Sequence, residues 1–273
     1  MDVTGAIDTG NPELTSREVR RIYSGLFEAG LFGRVEQVLG EVTQLFAGRY
    51  QGYDRCDTAY HDFEHTLQTY LAAARIFDGM VRTDPSSVSM ELVTLGLISA
   101  LGHDTGFIKP AGDNHGHGGK YTLVHVERSK DFMGNLLQEL GFSDTDISCV
   151  RNAISCTGLN VKVSSIPFAS AMERTVGYVV GTADYLGQMS DPHYIEKLPG
   201  LYEEYREGGV PGYDSADSLI EKTPGFFEGF VMNRLTQDFC GVYRFAASHF
   251  GGRDLYIEGI RKNLAAISGA RSR

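Results

Sequence analysis

Apolar positions recur at helical spacing along most of the chain. After Thr15-Ser16-Arg17-Glu18, which fits a capping box, Val19, Ile22, Leu26 and Phe27 mark one amphipathic helix. Gly30 and Gly33 interrupt it, and Val35, Val38, Leu39, Val42 and Leu45 mark the next. Leu92 to Leu101 is apolar around its whole circumference and reads as a buried helix, with Asp84-Pro85 as the start of that element. Further helices are expected over residues 60–80, 121–140, 144–157, 175–189, 194–206, 236–249 and 253–267. Residues 105–120, with five glycines and a proline, break the pattern, as does Gly208-Gly209-Val210-Pro211-Gly212. No strand-length alternation with hairpin signals and no internal repeat occurs. The expected fold class is therefore all-α, a single multi-helix domain over residues 15–268, preceded by a mobile N-terminus of residues 1–14.

Composition narrows the setting. A chain of 273 residues with 42% hydrophobic content is long enough for one large core. Its 25 Lys and Arg against 35 Asp and Glu give a formal charge of −10, which argues against a standing nucleic-acid partner. A small anionic substrate is compatible with that charge if a metal supplies local positive potential. Cys56, Cys149, Cys156 and Cys240 form neither a paired framework nor a CxxC, so reduced thiols and a cytoplasmic location are expected. The N-terminus lacks the regions of a signal peptide, and the longest apolar run is far short of the roughly 20 residues a membrane span needs.

The chemistry concentrates between residues 60 and 104. Of eight histidines, three lie in Tyr60-His61-Asp62-Phe63-Glu64-His65 and Gly102-His103-Asp104, each beside acidic residues. A helix over residues 60–80 sets His61 and His65 one turn apart on one face. The apolar helix ending at Leu101 carries His103 and Asp104 into the interior. Imidazole and carboxylate together are a mixed nitrogen/oxygen ligand set, suited to zinc, iron, manganese or magnesium. Far downstream, Asp184 falls on an apolar helix, where an unpaired carboxylate is costly to bury and a metal would remove the cost. Any one of these histidines alone fits an ordinary core or surface side chain; it is their order and local context that point to a site.

That order resembles the HD-domain superfamily of metal-dependent phosphohydrolases. Within it, Tyr60-His61 followed by His65, together with Ala153-Ile154-Ser155-Cys156-Thr157, is most similar to the catalytic domain of class I cyclic nucleotide phosphodiesterases. The resemblance covers roughly residues 55 to 235. It implies a buried site for one or two divalent ions, in which His65, His103, Asp104 and Asp184 are ligands and Asp104 bridges to a second ion held otherwise by water. It places His61 as the general acid, a role imidazole suits because it titrates near neutrality. Tyr60, Phe226 and Phe227 would touch the substrate, the two phenylalanines by stacking on a base. His125 and Glu127 would orient water around the metal. The implied reaction is hydrolysis of a nucleotide phosphodiester by metal-activated hydroxide.

Three departures from the family pattern bear on substrate and mechanism. Phe107 stands where many members carry a lysine or histidine that reaches the phosphate, leaving Lys109 or Lys120 to substitute. Thr223-Pro224 falls where a purine-reading glutamine is expected. Members that ligate a second metal fully with protein, including cyclic dinucleotide phosphodiesterases and di-iron oxygenases, use two further histidines; His125 could be the first, but Cys156-Thr157 falls at the second. His115 and His117, in the glycine-rich loop, are either auxiliary ligands or solvent-exposed. The alternatives are thus a di-iron oxygenase, or a nucleotide-binding module that does not turn over. His61 favours catalysis, because a binding module has no need of a protonatable group beside the ligands.

Overall fold

The computed structural model describes residues 1–27 and 30–270. Among them the chain forms eleven helices and no strand: α1 (Pro12–Leu26), α2 (Phe32–Phe46), α3 (Phe63–Thr83), α4 (Met90–Gly102), α5 (His125–Glu139), α6 (Asp144–Ser155), α7 (Ala171–Met189), α8 (Tyr194–Glu207), α9 (Ala216–Phe226), α10 (Phe245–His249) and α11 (Leu255–Ala270). The all-α expectation holds. An isolated antiparallel bridge, Tyr53 with Pro110, ties the loops after α2 and α4.

α3 is the axis of the bundle. Every residue from His65 to Met80 is buried, and a helix buried on all sides must be surrounded. α1, α4, α7 and α10 surround it. α10 comes close at Gly79, where a Cβ would run into the Phe245 carbonyl. α4 is likewise buried from Val93 to Gly102, as its unbroken apolar run requires.

Helix starts differ from the sequence reading where a side chain caps better than the one expected. The cap of α1 lies four residues before the expected Thr15, because Asn11 accepts the Glu13 and Leu14 N–H groups at 3.0 and 3.1 Å and Pro12 fills the first position. Thr15 lies inside the helix and donates to the Asn11 carbonyl. Asp84-Pro85 does not open α4; Asp84 turns over the Ser86 N–H at 2.9 Å, and Ser89 caps α4 instead. α3 starts at Phe63, capped by Asp62, so residues 60–62 precede it. Near the C-terminus a π turn, Phe227–Val231, follows α9, and the helix expected over 236–249 is broken into the end of a second π turn (Arg234–Asp238), a 3-10 turn (Val242–Arg244) and a short α-helix (Phe245–His249). Pro224, inside α9, lacks the N–H that would continue the ladder, and the chain widens just beyond it.

The residues before α1, expected as a mobile tail, pack against the bundle. The buried Asp2 carboxylate accepts from Ala6 and Ile7 at 3.1 and 3.0 Å and pairs with the buried Arg75 of α3. Thr9 donates to Glu64 at 3.0 Å. All four cysteines are free, and among the described residues no helix is long and apolar enough to cross a membrane.

Candidate metal centre

Three helices deliver the site. His65 occupies the first turn of α3, its backbone N–H held by the Asp62 cap at 2.9 Å. His103 and Asp104 follow the last residue of α4, and Asp184 lies on α7. His65 and His103 are 2% and 0% exposed, Asp104 and Asp184 2% and 8%.

Four ligand-type atoms converge. His65 Nε2 lies 3.2 Å from Asp104 Oδ2, from Asp184 Oδ1 and from His103 Nε2. His103 Nε2 lies 3.2 Å from Asp104 Oδ2 and 3.7 Å from Asp184 Oδ1. Ligands about 2.1 Å from one ion stand roughly 3.0 to 3.4 Å from each other in octahedral or tetrahedral shells, and the four 3.2 Å separations fall in that range. The hydrogen bonding agrees. His103 Nδ1–H donates to the Ala100 carbonyl at 2.8 Å, which leaves a lone pair on Nε2 aimed at the cluster. His65 Nδ1 and Asp104 Oδ2 are buried without hydrogen-bond partners. His65, His103 and Asp104 therefore form a buried group able to hold a metal ion, and Asp184 reaches the same two imidazoles.

The acids and bases of the cluster shift one another. Burial works against a charged His65, but the Asp104 and Asp184 carboxylates 3.2 Å away outweigh it and lift the imidazole to about 9. His103 is raised by the same pair against the same burial penalty. The carboxyls move oppositely: burial opposes their charge, yet the two histidines hold both below the ordinary carboxylate range.

A second layer fixes the first. Gln188, one turn beyond Asp184, donates to Asp184 Oδ1 at 2.9 Å and accepts the Tyr60 hydroxyl at 2.8 Å. Tyr60, expected to touch substrate, is buried behind this relay and does not reach the cavity. His61 precedes α3 rather than lying on it, yet its ring stands 5.6 Å from that of His65. Its Nδ1 lies 2.5 Å from Glu204 Oε2 of α8, a fully buried carboxylate that also accepts the Tyr60 and His61 backbone N–H groups at 2.6 and 3.2 Å.

Phe107 packs against the two imidazoles of the site that lie outside the cluster. Its ring stacks on His61 and on His125 at 4.4 Å each, with interplanar angles of 11° and 19°. The two imidazoles are 6.2 Å apart, so Phe107 is the ring that both pack against. Gly106 permits this, since a Cβ there would collide with the His125 carbonyl at the start of α5. Burial pushes the His125 imidazole down; its Nδ1–H donates to the Thr122 carbonyl at 2.7 Å, leaving Nε2 to face Asp104 Oδ1 at 3.7 Å.

Other sequence candidates fall elsewhere. Glu127 turns outward and pairs with Lys130 at 2.8 Å. His117 pairs through Nε2 with Glu207 and accepts the Gly119 N–H on Nδ1, while His115 is exposed. Lys109 is engaged by Asp57 at 2.7 Å and Lys120 by Asp113 at 2.6 Å, so neither reaches Asp104. The glycine-rich loop does not cover the site; the wall beside it begins at Thr122.

The site opens on a cavity of about 450 Å³. His61, His125, Asp104 and Asp184 form its polar end, and Tyr194, Leu198, Leu201, Tyr205, Tyr213 and Phe226 line much of the rest. Phe227, expected beside Phe226, is buried in the core, because consecutive helical residues diverge by about 100° and cannot share one face. Glu204 and Gln188 were missed by the sequence reading. The available signal was a carboxylate bordering the buried stripe Tyr194, Leu198, Leu201, hidden among four acidic residues of α8.

A family model described as Npun_R2479-like matches residues 114–240. The matched span holds His125, Asp184 and Glu204 and leaves out His61, His65, His103 and Asp104. No curated protein matches the chain.

Proposed function

We propose that this chain is a metal-dependent phosphohydrolase cleaving phosphodiesters, with His65, His103, Asp104 and Asp184 holding a divalent ion and His61 protonating the leaving oxygen. The observation that carries the reading is the buried Glu204 carboxylate, 2.5 Å from His61 Nδ1, on an imidazole that shares the polar end of the cavity with Asp104 and Asp184. A carboxylate only accepts, so Nδ1 keeps its proton and Nε2 becomes the atom that gives one up. A metal bound by the cluster would supply a Lewis acid that lowers the pKa of water and offsets charge on the phosphoryl oxygens. The protein's own part is orientation: Phe107 and Glu204 fix the His61 ring, Gln188 fixes Asp184, and His103 is locked by Ala100.

One contact favours a di-iron oxygenase instead, that of His125 Nε2 with Asp104 Oδ1 at 3.7 Å. The next position such a site would use is occupied by Cys156-Thr157; Cys156 is fully buried, and the Thr157 hydroxyl donates to the Ile154 carbonyl at 2.9 Å. The hydrolase is the better-supported reading. Elemental analysis of the purified protein, followed by hydrolysis of bis(p-nitrophenyl) phosphate with added manganese, magnesium or zinc, tests it. Bound metal with diester cleavage is the expected result; two irons per chain without cleavage would transfer the assignment to the oxygenase.

A further inference from the structure

The walls of the cavity carry a charge pattern that nucleotide recognition does not require. Its ionisable lining consists of Asp104, Asp184, Glu127, His61 and His125, and no lysine or arginine is among the lining residues. Arg234 lies behind the wall, but its guanidinium donates to the Gly158 and Val161 carbonyls at 2.8 and 2.9 Å and to Asp238. Cationic help for a phosphoryl group is thus confined to the metal end. A nucleoside diphosphate would bring a second phosphoryl group into a chamber with no lysine or arginine to meet it, where an uncompensated charge is costly to bury.

Beyond the polar end the lining is mainly aromatic and aliphatic, with Thr122, Thr157, Asn160, Gln188 and Thr223 as its other polar side chains. Burial pushes the Tyr194, Tyr205 and Tyr213 phenols up, so they present neutral rings beside Leu198, Leu201 and Phe226. The Gln188 amide, which could have read a base, is engaged on both ends by Asp184 and Tyr60. An independent feature lies at the entrance. Leu123, Val124 and Leu159 line the cavity and are 62%, 50% and 40% exposed, three of the five exposed large hydrophobic residues among the described ones. Exposed apolar side chains gathered on the rim of one cavity mark the path of an apolar ligand.

We propose that the substrate is a phosphodiester with a single negative charge and hydrocarbon or aromatic substituents, its phosphoryl group at the His61 end and its apolar groups in the tyrosine-lined chamber. The proposal rests on the phosphohydrolase reading for the reaction, but the ligand class follows from the chamber.

Calorimetric titration of the full chain, with and without manganese, tests it with diphenyl phosphate, cyclic AMP and ADP as probes. Diphenyl phosphate should bind at least tenfold more tightly than cyclic AMP, with a negative heat-capacity change, and ADP more weakly than either. Replacing both rim residues, Leu123→Ser with Val124→Ser, should weaken diphenyl phosphate several-fold; both side chains are exposed, so the fold does not depend on them. Tighter binding of cyclic AMP or ADP, or no binding of diphenyl phosphate, would overturn the proposal. If diphenyl phosphate binds as expected but the metal-loaded protein cleaves no p-nitrophenyl diester, the catalytic reading fails and the ligand class stands. Cleavage with the opposite order of affinities would sink the ligand class alone.

Discussion

Glu204 and His61 are 143 positions apart in the chain and 2.5 Å apart in space. The carboxylate is fully buried, takes two backbone N–H groups from the Tyr60-His61 turn, and aims the imidazole at the cavity. If His61 is the general acid, His61→Ala should leave metal content unchanged and slow hydrolysis of an unactivated diester by about 10² to 10⁴. The loss should be much smaller with a p-nitrophenyl leaving group, which needs little protonation. Equal losses on both substrates in steady-state kinetics would remove His61 from that role.

Glu204→Gln should reproduce part of that defect through the ring it holds. The amide can still receive a backbone N–H, but it is a weaker acceptor for Nδ1–H and can instead present its own donor. A fall in kcat of roughly 10-fold or more with KM little changed is expected, and the alkaline or acid limb of the pH profile should move. An unchanged pH profile would mean that Glu204 serves only to anchor the Tyr60-His61 turn.

One oxygen of Asp104 lies 3.2 Å from both the His65 and the His103 imidazoles, and the other is turned toward His125. Asp104→Ala should abolish bound metal and activity together, measured by elemental analysis and diester cleavage. A chelator applied to the unmodified protein should remove activity and lower the melting temperature, since an ion that binds only the folded state stabilises it. Metal retained at full occupancy in Asp104→Ala protein would contradict the ligand assignment.

The four converging residues were readable because each sits in a local context that states its environment. His103-Asp104 ends an apolar run that must be buried, and Asp184 interrupts another, so both announce charges taken out of water. What was not readable depends on contacts across the fold. His61 is near His65 because a capped turn precedes α3, not because both lie on one helix face, and the Asp62 cap decides that. Glu204 was obscured because α8 carries several acids and only packing selects the one turned inward. Phe107, which in sequence is only a missing lysine or histidine, becomes in three dimensions the ring that two imidazoles pack against.

Phe107→Leu tests that packing. The substitution keeps most of the apolar volume, so its stability cost should stay near 1 to 2 kcal/mol. The ring that stacks on His61 and His125 is lost, and with it the orientation of the His61 imidazole, on which turnover depends if His61 is the general acid. Turnover should fall more than the fold does, seen as a lower kcat at nearly constant melting temperature. A loss of stability without a kinetic effect would make Phe107 a core residue and nothing more.

The N-terminal segment gives a prediction about pH. Burial disfavours the Asp2 carboxylate, but the Arg75 charge, the Ile7 N–H and the Thr4 hydroxyl together hold its pKa below the ordinary carboxylate value. A depressed folded-state pKa contributes stability that is fully present above the unfolded value, about 3.9, and is lost as pH falls through the folded one. Asp2→Asn leaves Arg75 buried with the Tyr256 hydroxyl at 3.2 Å as its remaining side-chain partner, and should cost about 3 kcal/mol at pH 7 in urea unfolding. The gap between the variant and the unmodified protein should persist down to about pH 5 and narrow below about pH 4, where protonation of Asp2 begins to remove the same interaction from both. A gap that stays constant into acid, or none at neutral pH, would show that the Asp2–Arg75 pair does not hold the segment in place.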